Sequence, residues 1–110
     1  MNSRAKGKRG ELEIAKILRE HGFPDAKRGQ QFSGLYGDAD VVGVEGLHLE
    51  IKRGEALNIE KAMEQSIRDA REGEIPTVFH RKNGKPWLVT LGIEDFLELY
   101  KRGNKDVHER

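Results

Sequence analysis

Residues 38–53 read DADVVGVEGLHLEIKR, and the way the two halves of this stretch pair decides what the chain can be. Valines at 41, 42 and 44 are followed by Leu47, Leu49 and Ile51 in strict alternation with His48, Glu50 and Lys52. Period-two patterning with β-branched residues around a glycine predicts a β-hairpin. Its loop sets the register. A two-residue loop at Val44-Glu45 pairs Asp40 with Leu49 and puts Asp40 on the face opposite Glu50. A three-residue loop, Val44-Glu45-Gly46, pairs Asp40 with Glu50 instead. Such loops favour a left-handed residue at their last position, where Gly46 stands, so the second register is preferred.

In that register Val41, Leu49 and Ile51 enter the core, while Asp40, Glu50 and Lys52 project from the other face. Two carboxylates opposed across a sheet repel. A divalent cation between them removes that penalty, and an all-oxygen ligand set suits Mg²⁺ or Mn²⁺ better than zinc. Asp38 lies two residues from Asp40, on the same face, and competes for its role. Taken alone, Glu50 and Lys52 also fit an ordinary solvent-facing strand, and Asp40 the start of one.

Upstream, Leu12, Ile14, Ala15, Ile17 and Leu18 recur at helical spacing, giving a helix over roughly 8–21 that His21-Gly22 and Pro24 end. At about 100° per residue the apolar arc is centred near Glu11, with Leu12, Ile14, Ala15 and Leu18 around it. Glu13, Lys16 and Glu20 fall on the far side. A carboxylate within a packed face is costly unless paired or metal-bound. Glu11 has two other readings: an acid favoured by the helix dipole, or a partner for Lys52 or Arg28.

An extended segment at 25–29 and a polar, glycine-rich loop from Gln30 to Gly37 separate this helix from the hairpin. After the hairpin, Ile59, Ala62, Met63, Ile67 and Ala70 predict a second helix over 57–72, with Gln65 at the edge of its apolar face. Gln65 either lines the acidic site or caps the core. Ile75–Arg81 and Pro86–Thr90 read as strands around an Asn83-Gly84 turn, with His80 and Trp87 as packing residues. Ile93, Phe96, Leu97 and Tyr100 form a closing helix, and residues 103–110 read as a polar tail. The order αβββαββα predicts a single α/β domain over 1–110. His48 shares the acidic face, as a substrate contact or a surface polar residue.

Charged and hydrophobic residues each make up 35% of the chain, which fits a compact core under an ionic surface. The net charge of +1 does not identify a partner, because distribution matters more than the total. Residues 1–9 carry Arg4, Lys6, Lys8 and Arg9 without an acid, an arm for phosphate contact or for solubility. Arg28 and the Gln30–Ser33 loop stand just before the hairpin, where phosphate contact is also expected. Without cysteine, disulfides and thiolate metal sites are excluded. No stretch has the length of a membrane span or a signal peptide, so a soluble, cytoplasmic protein is expected.

Asp40, followed after nine residues by Glu50-Ile51-Lys52, resembles the PD-(D/E)XK nuclease superfamily, with alanine rather than proline before the aspartate. Lys8-Arg9-Gly10-Glu11 and the loop carrying Ser33-Gly34 are similar to archaeal-type Holliday junction resolvases. Residues 38–42 with 48–53, and later Trp87–Leu91, look like small phage-encoded members of this group. The resemblance covers roughly residues 6–100. It implies a restriction-endonuclease-like fold (αβββαβ core), a central mixed sheet flanked by helices. It further implies a Mg²⁺-dependent endonuclease, with Mn²⁺ as substitute, that leaves 5′-phosphates and acts in recombination as a homodimer on four-way DNA junctions.

Carried over by residue, the resemblance has Asp40, Glu50 and the backbone carbonyl of Ile51 hold the ion, joined by Glu11 directly or through water. Lys52 would orient or activate the attacking water. Arg4, Lys6, Lys8, Arg9, Arg28, Ser33, Arg53 and Gln65 would contact DNA. The competing readings are a nuclease of the same fold without junction selectivity and a non-catalytic DNA-binding module.

Overall fold

The structure is a computed structural model that describes residues 3–29 and 39–108, with side chains described for 7–29 and 39–104. The Gln30–Gly37 loop, Ser33 within it, and Asp38 lie outside the described residues. The elements run α1 (Ser3–Glu20), β1 (Lys27–Arg28), β2 (Val41–Val42), β3 (Leu47–Arg53), α2 (Ile59–Asp69), β4 (Ile75–Arg81), β5 (Leu88–Thr90) and α3 (Ile93–His108). The class is α/β: a five-stranded mixed sheet with the strands in chain order, and three helices. No described helix is long and apolar enough to cross a membrane.

The hairpin takes the three-residue register. Val41 stands opposite Leu49, as that register requires, and Gly46 adopts φ +88°. β3 then runs parallel to β4, from Leu47 beside Ile75 to Arg53 beside Arg81. Parallel neighbours need a crossover, and α2 supplies it. α1 packs on β1, β2 and β3, while α2 packs on β3 and β4. The main core lies under α1 and joins Ile14, Ala15 and Leu18 to Ala26, Val41, Val44, Leu49 and Ile51, with Phe79 and Trp87 against its edge.

Local chemistry sets the element ends. At the close of α1, Phe23 N–H donates to Leu18 O and Gly22 N–H to Arg19 O, with Gly22 at φ +99°. This double bond pattern with a left-handed glycine ends helices cleanly. Asn58 caps α2 by accepting from Lys61 N–H at 3.1 Å.

Several expected boundaries move. α1 begins at Ser3, so most of the basic arm is its first two turns rather than a separate extension. α2 is shorter than 57–72 and stops before Ala70, which is extended at ψ 138°. β5 begins at Leu88, since Pro86 has no N–H for a ladder. α3 continues to His108, so residues 103–108 are helix rather than tail. No proline interrupts it, and Arg102 donates to Glu98 one turn earlier. Leu12 and Ile67, expected in the core, are exposed, and Ser66 takes the buried place on α2.

Gly43 is required twice over. Its φ is +98°, and a Cβ there would run into the main chain of Asp25 and Ala26. Gly46 has a similar φ but open space around it. Gly43→Ala should therefore cost about 2–3 kcal/mol, against about 1 kcal/mol for Gly46→Ala. Thermal melts of the two variants check this, and equal losses would remove the collision at Gly43.

Candidate active site

β3 is covered on both faces, and this changes the meaning of its alternation. Leu49 and Ile51 face α1. His48, Glu50 and Lys52 face the α2 side, where Lys52 Nζ donates to Gln65 Oε1 at 3.1 Å. Glu50 is only 1% exposed and His48 is fully buried. The expectation of His48 as a surface residue is corrected here. The signal available was the strand–helix–strand order, because a parallel pair with its crossover helix buries both strand faces.

Asp40 sits one residue before β2 and is 9% exposed. Its N–H donates to Leu49 O, and its Oδ2 accepts from Ile51 N–H at 2.8 Å. The carboxylate thus takes the place of a main-chain acceptor just before β2, which pins it beside β3. On a strand a residue's C=O points to the same edge as its N–H. The Ile51 carbonyl therefore also faces the Asp40 edge, where β2 has not begun.

The two carboxylates meet. Burial raises Asp40 from its ordinary 3.8 to about 7, the Glu50 charge adds to this, the Ile51 N–H opposes it, and Glu11 raises it further. Asp40, when protonated, also donates a hydrogen bond to Glu50. On its other side Glu50 Oε1 accepts from His48 Nε2 at 2.9 Å. Burial alone would pull the His48 imidazole down, but the Glu50 hydrogen bond and the charges of Glu50, Glu74 and Asp69 push it up. The His48 Nδ1 lies 3.8 Å from Glu74 Oε1, too far for a hydrogen bond.

Glu11 lies on the buried side of α1, one turn before Ile14 and Ala15, with a side chain 15% exposed. It stands two turns into α1, so the helix dipole does not explain it. Arg28 does in part: its Nε donates to Glu11 Oε1 at 2.9 Å. Among the described residues no group of three or more His, Cys, Asp or Glu side chains is arranged to hold a metal ion. The donor set that fits a hard cation is therefore the Asp40 and Glu50 carboxylates with the Ile51 carbonyl. Glu11 bonds Arg28 and stands near enough for its charge to raise Asp40.

The residues expected to meet DNA divide. Lys8 and Arg9 are exposed on α1, whereas the side chains of Arg4 and Lys6 lie outside the described residues, as does Ser33. Gln65 serves Lys52. Arg53 is committed inside the domain: its Nη1 donates to Glu13 Oε1 at 2.7 Å and its Nη2 to Asn83. Glu13, expected on the far side of α1, instead accepts from Arg53, Arg81 and Trp87. Those partners come from β3, β4 and the turn before β5, so no helical wheel could reveal them. His80, paired across from Lys52, bonds Thr90 Oγ1 at 2.8 Å, and burial lowers its pKa.

Comparison with protein-family models, with curated proteins and with solved structures returns no match to this chain. What is defined is an α/β domain carrying a buried acidic pair, with a lysine two residues further along the same strand.

Proposed function

We propose that the chain is a Mg²⁺-dependent DNA endonuclease of the restriction-endonuclease-like fold, acting on branched DNA as a Holliday junction resolvase. The reading rests on one observation: Asp40, just before β2, and Glu50, on β3, meet at a buried point, where desolvation and the Glu50 charge raise the Asp40 carboxyl to about 7. A purely structural pair of this kind is costly, since like charges in low dielectric disfavour ionisation of both. A site that uses the pair has reason to keep it.

Asp40 and Glu50, with the Ile51 carbonyl, would hold the cation. When bound, the ion lowers the pKa of its water and stabilises charge developing on the phosphate. Lys52 extends from the same face of β3, its amine oriented by Gln65, and would position the attacking water and offset negative charge in the transition state. His48 holds the Glu50 carboxylate from behind. Glu11 would act through solvent, and Lys8 and Arg9 would meet the DNA backbone. The protein would work in the cytoplasm as a homodimer, offering one site to each of two strands.

A synthetic four-way junction and a linear duplex of the same sequence, incubated with protein in chelator and then in Mg²⁺, test this. Binding without cleavage in chelator, then faster cleavage of the junction in Mg²⁺, is expected. Equal rates on both substrates would leave a nuclease without junction selectivity. Binding with no cleavage under any divalent ion would leave a DNA-binding module.

A further inference from the structure

α3 is packed little by the rest of the described domain. None of the extensive packings between described elements involves it. It presents Ile93, Phe96, Leu97 and Tyr100 at 73%, 51%, 48% and 60% exposure, positions that share one helical face. The Phe96 and Tyr100 rings stack at 6.3 Å along that stripe. β5, which leads into α3, exposes Leu88 and Val89 as well. A helix of this length is marginal in water without a packed face, and an exposed contiguous apolar stripe marks an interaction surface.

Charge identifies the occupant. Glu94, Asp95 and Glu98 lie in the first half of α3, and Lys101 and Arg102 follow. Glu94 and Lys101 are seven residues apart, so both flank the apolar stripe on the same side, at roughly 100° from its centre. When two such helices pack antiparallel about a two-fold axis, each flank faces the same flank of its neighbour. An axis near Leu97 then sets Glu94 against the partner's Lys101, and the reverse pair follows by symmetry. A parallel pair would set acidic halves side by side.

We infer that α3 is a dimerisation helix, packing antiparallel through Ile93, Phe96, Leu97 and Tyr100 on the α3 of a second copy of this chain. The surface supplies the pairing that the nuclease reading expects, but it stands without that reading.

Sedimentation equilibrium of the full chain, without DNA or metal, tests it. At about 100 μM the parent should be dimeric, since a helix-pair interface below standard size still reaches roughly micromolar Kd. Phe96→Asp should be monomeric with the circular dichroism of a folded domain. Glu94→Lys should weaken the dimer at least about tenfold, and Glu94→Lys with Lys101→Glu should restore most of that loss. A monomeric parent, a Phe96→Asp dimer, an indifferent Glu94→Lys, or a double variant no tighter than the single one would each overturn the proposal. No cleavage is read, so these outcomes are separate from those that decide the nuclease reading.

Discussion

Asp40→Asn should abolish cleavage and leave a metal-free protein that melts at least as high as the parent at pH 8. The first half rests on the proposed cation site. Losing one of its two carboxylate ligands would remove several kcal/mol of transition-state stabilisation, a fall of at least about a thousandfold. The second half follows from burial. Asp40 is raised to about 7 by desolvation and by Glu50, so ionising it in the folded chain is unfavourable. Its folded pKa lies above its unfolded 3.8, and the folded state holds the extra proton between those values. The stabilisation is complete below about pH 4 and is lost as pH rises to about 7. His48, also raised, changes stability in the same direction near neutrality.

The metal-free parent should thus lose stability between mildly acidic and neutral pH, and Asp40→Asn should flatten most of that slope. Asparagine keeps an oxygen to accept the Ile51 N–H and gains an amide that can donate to Glu50. Melts across this pH range in chelator, with single-turnover cleavage in Mg²⁺, measure both halves. A variant that still cleaves, or one that melts well below the parent in chelator, would make Asp40 a structural residue.

The second large effect is expected at Lys52. Lys52→Met keeps the aliphatic stem and removes the ammonium. The rate of the cleavage step should fall by about 10²–10⁴-fold, the range for a group that assists proton transfer or charge in the transition state. DNA affinity in chelator should hardly change, because the amine is directed to Gln65 within the domain. Lys52→Arg should not rescue, since a planar guanidinium does not reproduce a point charge at this position. Burial lowers the pKa of His80 beside it, which makes that ring a poor substitute for the lost charge. Cleavage within a few-fold of the parent would remove Lys52 from the chemistry. A large loss of DNA affinity would make it a phosphate contact instead.

The acidic site was legible in part because two of its determinants are local. The register of the hairpin depends on a three-residue loop ending in a left-handed glycine, and Gly46 takes that conformation. The inward position of Glu11 depends only on its angle relative to Ile14, Ala15 and Leu18. The fold selects its tie to Arg28 over the helix dipole, because α1 begins earlier than its apolar period. The lower limit of α1 was missed for that same reason: Ser3–Arg9 are helical without an apolar face to reveal it.

By itself, then, the sequence determined the element order, the pairing of Val41 with Leu49, and the side of α1 on which Glu11 lies. Each of these depends on neighbours a few positions apart. Tertiary structure alone decided that β3 is parallel to β4 and covered by α2, which buries His48 against Glu50 and turns an apparently solvent-facing row into a low-dielectric site. It also brought Arg53, Arg81 and Trp87 onto Glu13 across large separations in the chain. Periodicity reports which way a side chain points, whereas burial and partners depend on which distant surface arrives to meet it.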